Sequence, residues 1–213
     1  MLSGYTGATH QAIEDIAIMR AVPNMVVVDP ADAEEMRQAI KAITRHNGPV
    51  YLRETRDEWP DIFSSDYKFE IGRSAVIREG SDAVIIACGV MTSQSLQAAE
   101  ILVKEGLSVR VVNMSTIKPI DAKTIIESAK RTGAVVTAEN HNIYGGLGGA
   151  VAEVLGEEAP TLMTRVGIRD VFGESGSDRE LLDKYDMSAK YIAATVRRII
   201  ERKSTANKND VHN

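Results

Sequence analysis

Cysteine is almost missing from this chain: its 213 residues include one, Cys88. A single thiol excludes an internal disulfide framework and a cysteine-rich zinc site. Long apolar runs are missing as well. None approaches the roughly 20 residues that cross a bilayer, so no membrane span is expected. Basic excess is also absent. Lys and Arg number 25 against 30 Asp and Glu, a net charge of −5 with a pI near 5.5. That balance argues against binding nucleic acid through a bulk positive field. The opening residues Met1-Leu2-Ser3-Gly4 have neither a basic n-region nor an apolar h-region, so no secretory leader is expected. What is present is 44% hydrophobic and 26% charged residues, enough to bury a core. The expectation is an acidic cytoplasmic α/β protein.

Strand-like apolar runs alternate with helical periodicity. Met25–Val28 is a continuous β-branched run, as in a strand covered on both faces. Asp32, with Glu35 three residues on, has the form of an N-cap with its capping-box partner. The helix that follows carries Met36, Ala39, Ile40 and Ile43 at the spacing of a packed face, and His46-Asn47-Gly48-Pro49 ends it. Val50–Arg53 reads as the next strand. A mostly apolar helix over Ala12–Val22 precedes this βαβ unit. Residues 54–72 have the composition of a long loop.

Beyond them, strands are expected at Ala83–Ala87, Ser108–Val112, Ala134–Ala138 and Thr161–Val166. Helices are expected over Ser93–Glu105, Asp121–Thr132, the glycine cluster 145–149 to Gly156, and from Ser188 onward. No internal repeat or low-complexity tract interrupts the pattern. The fold expectation is therefore α/β. A self-sufficient domain over residues 73–203, in three layers with a mostly parallel sheet, follows a remnant over 1–58 and a linker over 59–72. Two strands and two helices cannot cover both faces of a parallel sheet, so the first segment reads as the end of a larger domain. Residues 204–213 read as a disordered polar tail.

Several residues could carry chemistry. His10 follows a glycine loop at the mouth of a helix in Gly7-Ala-Thr-His10-Gln11, where a neutral imidazole can face a ligand. Alone, a histidine there reads first as a surface or capping residue. Arg53 at a strand end suits a phosphate or a surface ion pair. The cluster Gly145-Gly-Leu-Gly-Gly149 lacks the G-x-G-x-x-G spacing. It fits close helix–sheet packing, or bare N–H groups turned to an anion. Glu139 and His141 close the third strand, where open α/β sheets bind ligands, and could line a regulatory or interface site; a satisfied loop histidine is the plainer alternative. Cys88 ends an apolar strand and reads as a small buried hydrophobe. Trp59 in the connector could anchor the two parts together.

The stretch from Gly7 to Asp32, beginning G-A-T-H-Q-A-I-E-D-I-A, resembles the transketolase family within its pyrimidine-binding domain. Gly48–Arg53, Glu139–Glu153 and Val166–Gly176 resemble the same family in collinear order, the last two within its C-terminal domain. The nearest form is the C-terminal section of transketolases made as two chains. The resemblance implies transfer of a two-carbon ketol unit between sugar phosphates, using thiamine diphosphate and Mg2+. It implies that His10 is catalytic and contacts donor-substrate oxygens, and that Arg53 binds the substrate phosphate.

It further implies that the glutamate activating the cofactor, and the G-D-G metal and diphosphate motif, lie outside this sequence. The expectation is therefore that neither cofactor binds this chain alone and that the chain alone is inactive. The implied partners are an N-terminal transketolase chain or domain, a second copy in a homo-oligomer or heterotetramer, and sugar phosphates, with no nucleic acid and no membrane. Thr6 stands where the family commonly has an aspartate that contacts a substrate hydroxyl. Two alternatives share the domain pair or the chain: a 1-deoxyxylulose-5-phosphate synthase or 2-oxo acid dehydrogenase beta-subunit fragment, and a non-catalytic assembly or regulatory fragment.

Overall fold

The computed structural model describes residue 2 and residues 4–210. Short 3-10 turns at Gly4–Thr6 and Ala8–His10 lead into α1 (Asp15–Ala21), β1 (Val26–Val28), α2 (Ala33–Ile43) and β2 (Val50–Leu52). An irregular connector precedes β3 (Ala75–Arg78). Then come β4 (Ala83–Ala87), α3 (Met91–Val103), β5 (Val109–Asn113), β6 (Thr116–Lys118) and α4 (Ala122–Thr132). The chain closes with β7 (Ala134–Asn142), α5 (Leu147–Glu158), β8 (Leu162–Ile168), α6 (Asp178–Lys184) and α7 (Ala189–Asp210).

A five-stranded sheet runs β3-β5-β4-β7-β8, parallel at every pair except β3–β5. Its central strand β4 is buried throughout, and its side chains alternate between two cores as the period of two requires. Ala83, Ile85 and Ala87 pack with Leu102 of α3 and Ile192, Val196 and Ile199 of α7. Val84, Ile86 and Cys88 pack on the opposite face with Ile125 of α4 and Leu147, Val151 and Leu155 of α5. This is the expected three-layer α/β arrangement, and Cys88 is the buried hydrophobe its strand position implies. Gly133 ends α4 in the left-handed conformation at φ 64°.

The first segment differs from its expected form in one respect that matters. It is not left as a separate two-stranded remnant. β6 leaves the second domain and pairs antiparallel with β1, setting Val28 opposite Thr116, so a three-stranded sheet β2-β1-β6 joins the two parts. Three residues between a strand and a helix carry no periodic signal, which is why Thr116–Lys118 reads as a loop in the sequence.

The α2 N-cap forms as expected, with Asp32 Oδ1 accepting from Glu35 N–H at 2.8 Å. Glu35 does not close the capping box. Its carboxylate turns inward to accept from Ala31 N–H at 2.8 Å, Tyr67 Oη at 2.8 Å and Asn113 Nδ2 at 2.8 and 3.0 Å. The inward face of α2 is accordingly Glu35 and Ala39, while Ile40 is exposed. The connector is ordered against this helix: Ile62 and Phe63 N–H groups donate to Asp32, and Phe69 is buried. Trp59 packs against the apolar core of the second domain, as an anchor would. Where a disordered tail is expected from residue 204, α7 continues to Asp210; residues 211–213 of that expectation lie outside the described residues. A genuine capping box, Ser177 with Glu180, opens α6.

Candidate functional site

The glycine loop, the end of β2 and the end of β7 converge on an open pocket of about 620 Å³. Its lining includes His10, Gln11, Asp15, Tyr51, Arg53 and Arg56. The pocket therefore contains both residues expected from the sequence, His10 from the glycine loop and Arg53 from the end of β2.

His10 is exposed at the end of its 3-10 turn. Its Nδ1 lies 2.9 Å from Thr9 Oγ1. That contact fixes one edge of the ring and leaves Nε2 for a ligand. Gly7 explains the tightness of the loop: its φ is +80°, and a Cβ there would come within 2.7 Å of Ser175 Oγ. The glycine of the T-H-Q segment thus touches the loop bearing Phe172-Gly-Glu-Ser-Gly176. Gln11 Nε2 donates to the Glu174 carbonyl in that same loop at 3.0 Å.

Arg53 is far more buried than a surface arginine, with its side chain 10% exposed. Its Nε donates to Asp15 Oδ2 at 2.8 Å, and Nη2 reaches Asp15 Oδ1 at 3.3 Å and the carbonyls of Ala12 and Asn140 at 3.0 and 2.9 Å. Nη1 lies 3.6 Å from Asp29 Oδ2. The bidentate fork that would suit a phosphate is engaged by Asp15. Tyr51 Oη donates to the same carboxylate at 2.7 Å. Burial opposes ionisation of Asp15, but the Arg53 charge and the hydrogen bonds from Tyr51 and Arg53 together hold its carboxyl below the usual range. Burial pushes Asp29 up and would lower Arg53, whose two carboxylate neighbours more than offset that. Arg56, three residues further on, is exposed at the pocket mouth. Sequence reasoning singled out Arg53 and passed over Arg56; the only signal for the latter is an arginine just past a strand end.

Glu139 and His141 form a different structure. Glu139 Oε2 and Oε1 accept from the N–H groups of Leu147 and Gly148 at 2.7 and 2.8 Å. The glycine cluster does cradle an anion at a helix N-terminus, and the anion is the chain's own carboxylate. A Cβ on Gly146 would lie 2.0 Å from Glu139 Oε2, so close approach is what the glycine provides. Burial raises the Glu139 pKa to about 7 against those two donors. His141 is buried; its Nδ1 contacts the Asn142 carbonyl at 2.6 Å, and its Nε2 accepts from Ala17 N–H at 3.4 Å. It is the satisfied histidine of the plainer alternative.

Thr6 lies in the first 3-10 turn. Among the described residues no group of three or more His, Cys, Asp and Glu could hold a metal ion, so no metal ligand is assigned. No described helix is long and apolar enough to cross a membrane.

Comparison with known proteins gives two family matches. The model described as "Transketolase, pyrimidine binding domain" matches residues 2–61, and "Transketolase, C-terminal domain" matches residues 72–192. The chain is 43% identical over 198 residues to a 6-deoxy-6-sulfo-D-fructose transketolase subunit, SqwH, of Clostridium sp. (strain MSTE9), covering 93% of this chain and 62% of that protein. It is 41% identical over 202 residues to a 1-deoxy-D-xylulose-5-phosphate synthase of Syntrophotalea carbinolica, covering 92% of this chain and 31% of that protein. Among solved structures it resembles one described as a split gene transketolase, an inactive beta4 tetramer. The TM-score is 0.87 at 48% identity, over 92% of this chain and 64% of that one. The chain therefore spans less than two thirds of the length of these relatives.

Proposed function

The chain belongs to the transketolase family, and from that premise we propose that it is the C-terminal section of a two-chain transketolase, completed by an N-terminal chain. The family depends on thiamine diphosphate, which supplies the electron sink for cleaving and forming the carbon–carbon bond next to a carbonyl. The single observation that carries the reading is the open pocket lined by His10, Gln11, Arg53 and Arg56.

Within it the chain's own residues bind and orient. His10, with Nδ1 fixed by Thr9, offers Nε2 to the hydroxyl and carbonyl oxygens of a ketose, where it can donate to an oxygen that gains charge. A phosphate at the mouth meets the exposed Arg56, while Arg53 is held behind it by Asp15 and Asp29. Because Asp15 holds the other edge, Arg53 also fixes the backbone at Ala12, two residues past His10, and so orients the loop.

The diphosphate and metal ligands belong to the partner chain in this reading. On that reading the chain alone is inactive and binds neither thiamine diphosphate nor Mg2+ alone. A homologous structure described as an inactive beta4 tetramer supports both the inactivity and an oligomeric state. Exposed apolar side chains such as Ile18, Tyr144, Val171 and Phe172, the last by 84%, offer surface to such a partner. The assembly works in the cytoplasm on sugar phosphates.

Reconstitution tests this. The chain mixed with its N-terminal partner, thiamine diphosphate and Mg2+ is expected to transfer a ketol unit from xylulose 5-phosphate to ribose 5-phosphate; an assembled complex with no transfer contradicts it. The identity to a 1-deoxy-D-xylulose-5-phosphate synthase favours one second reading. Pyruvate consumed in place of the ketose phosphate as donor would establish that reading instead.

A further inference from the structure

His141 is fully buried near the end of β7 and does not line the pocket. Its Nδ1 lies 2.6 Å from the Asn142 carbonyl. A carbonyl can only accept, which assigns the ring proton to Nδ1 and leaves Nε2 as an acceptor. Burial lowers the pKa of the ring and so preserves that acceptor. Nε2 receives Ala17 N–H at 3.4 Å. Ala17 is the third residue of α1, and the first turn of a helix leaves its N–H groups without intrahelical partners. The N-cap Glu14 gives them no side-chain bond. The Ile13 carbonyl, four residues before Ala17, accepts from Asn142 N–H of β7 at 2.8 Å. The second domain therefore supplies the acceptor that α1 lacks. The two are in close contact there, since a Cβ on Gly145 would lie 2.8 Å from Ala17 Cβ.

What α1 holds is the wall of the pocket. Asp15, at its start, has Oδ1 4.0 Å from His141 Nε2 and accepts from Arg53 Nε at 2.8 Å. Arg53 Nη2 in turn donates at 3.0 Å to the carbonyl of Ala12, two residues past His10. We propose that His141 is a positioning residue for ketol transfer: its Nε2 ties α1 to the second domain and so keeps Asp15, Arg53 and the His10 loop in their working arrangement. The inference rests on the ketol-transfer reading and deepens it by naming a buried group that acts through α1 without touching substrate. Small displacements matter at such a distance, because a misplacement of about 1 Å can cost about 10²-fold in rate.

Two variants separate the two ends of the ring. His141→Asn keeps an N–H for the Asn142 carbonyl and ends short of Ala17. His141→Gln reaches as far as Nε2 and keeps an acceptor there. In the reconstituted two-chain enzyme, with xylulose 5-phosphate and ribose 5-phosphate, His141→Asn is expected to lower kcat about tenfold or more. Its KM should stay within about threefold of the parent value while the assembly still forms. His141→Gln is expected to recover most of the lost kcat. Hydrogen exchange on the chain by itself gives a second readout. Measured against the core amides of β4, the Ala17 amide should exchange about tenfold faster in His141→Asn and at the parent rate in His141→Gln.

Equal losses in the two variants would mark a general packing role and overturn the proposal. An undiminished kcat in His141→Asn, a change confined to KM, or Ala17 exchange at the parent rate in His141→Asn would overturn it as well. Failure of the unmodified assembly to transfer a ketol unit counts against the function itself, and Ala17 exchange then decides alone whether His141 holds α1.

Discussion

The two sheets of this protein are held by different forces. The five-stranded sheet is sealed by apolar cores on both faces, and its middle strand carries nothing but Ala, Val and Ile. The three-stranded sheet has a small apolar cluster of Val26, Val28, Ala39 and Phe69, and relies on buried polar links to its neighbour. Glu35 reaches Asn113, Arg53 reaches the Asn140 carbonyl, and β6 crosses over to pair with β1. The first kind of cohesion is non-directional and tolerant. The second is directional, and leaves a buried charge alone whenever one partner is lost. The candidate site lies against the second kind, where geometry matters most.

The largest effect should come from breaking the polar side. Arg53→Ala strands Asp15 and Asp29 in a buried setting, and a loss of about 3–5 kcal/mol in urea unfolding is expected. A loss below about 1 kcal/mol would show that the network is solvated and that the contrast between the sheets is false. Gly146→Ala tests the packed side of the glycine cluster. Its Cβ would meet Glu139 Oε2, and overpacking of this kind costs about 1–3 kcal/mol by the same measurement.

Glu139→Gln probes the carboxylate itself. Because burial raises the folded pKa to about 7, protonation favours the folded state. This group's stabilising share is full below its ordinary pKa and is lost as pH rises through about 7. The stability of the parent protein relative to Glu139→Gln should therefore fall across that interval, and a flat or rising difference curve would contradict the assignment. The smallest stability effect belongs to His10→Ala, within about 0.5 kcal/mol for an exposed side chain, even though its effect on turnover should be large.

The parts legible in sequence are those whose cause is local. The alternation of Ala83–Ala87, the Asp32 cap and the glycine that ends α4 all depend on neighbours a few residues away. The T-H-Q segment is legible through family likeness. What the sequence hides depends on distant partners. Nothing near Thr116–Lys118 announces that it completes a sheet with residues 90 positions earlier. Glu35 has the spacing of a capping box, yet a distant asparagine and tyrosine draw it inward. Arg53 reads in the sequence as a phosphate ligand or a surface ion pair, and only the fold shows its fork engaged by Asp15. The Gln11 bond to the Glu174 carbonyl, 163 residues away, is invisible for the same reason.

On the proposed function, this chain supplies the His10 side of a site that another chain completes. Turnover of xylulose 5-phosphate and ribose 5-phosphate, measured for the chain alone, for the assembly with its partner and for the assembly carrying His10→Ala, tests it most directly. The expected result is turnover only in the unmodified assembly, with His10→Ala lowering kcat by about 10²–10⁴ while the complex still forms. Turnover by the chain alone, or an undiminished rate in the His10→Ala assembly, would contradict the claim.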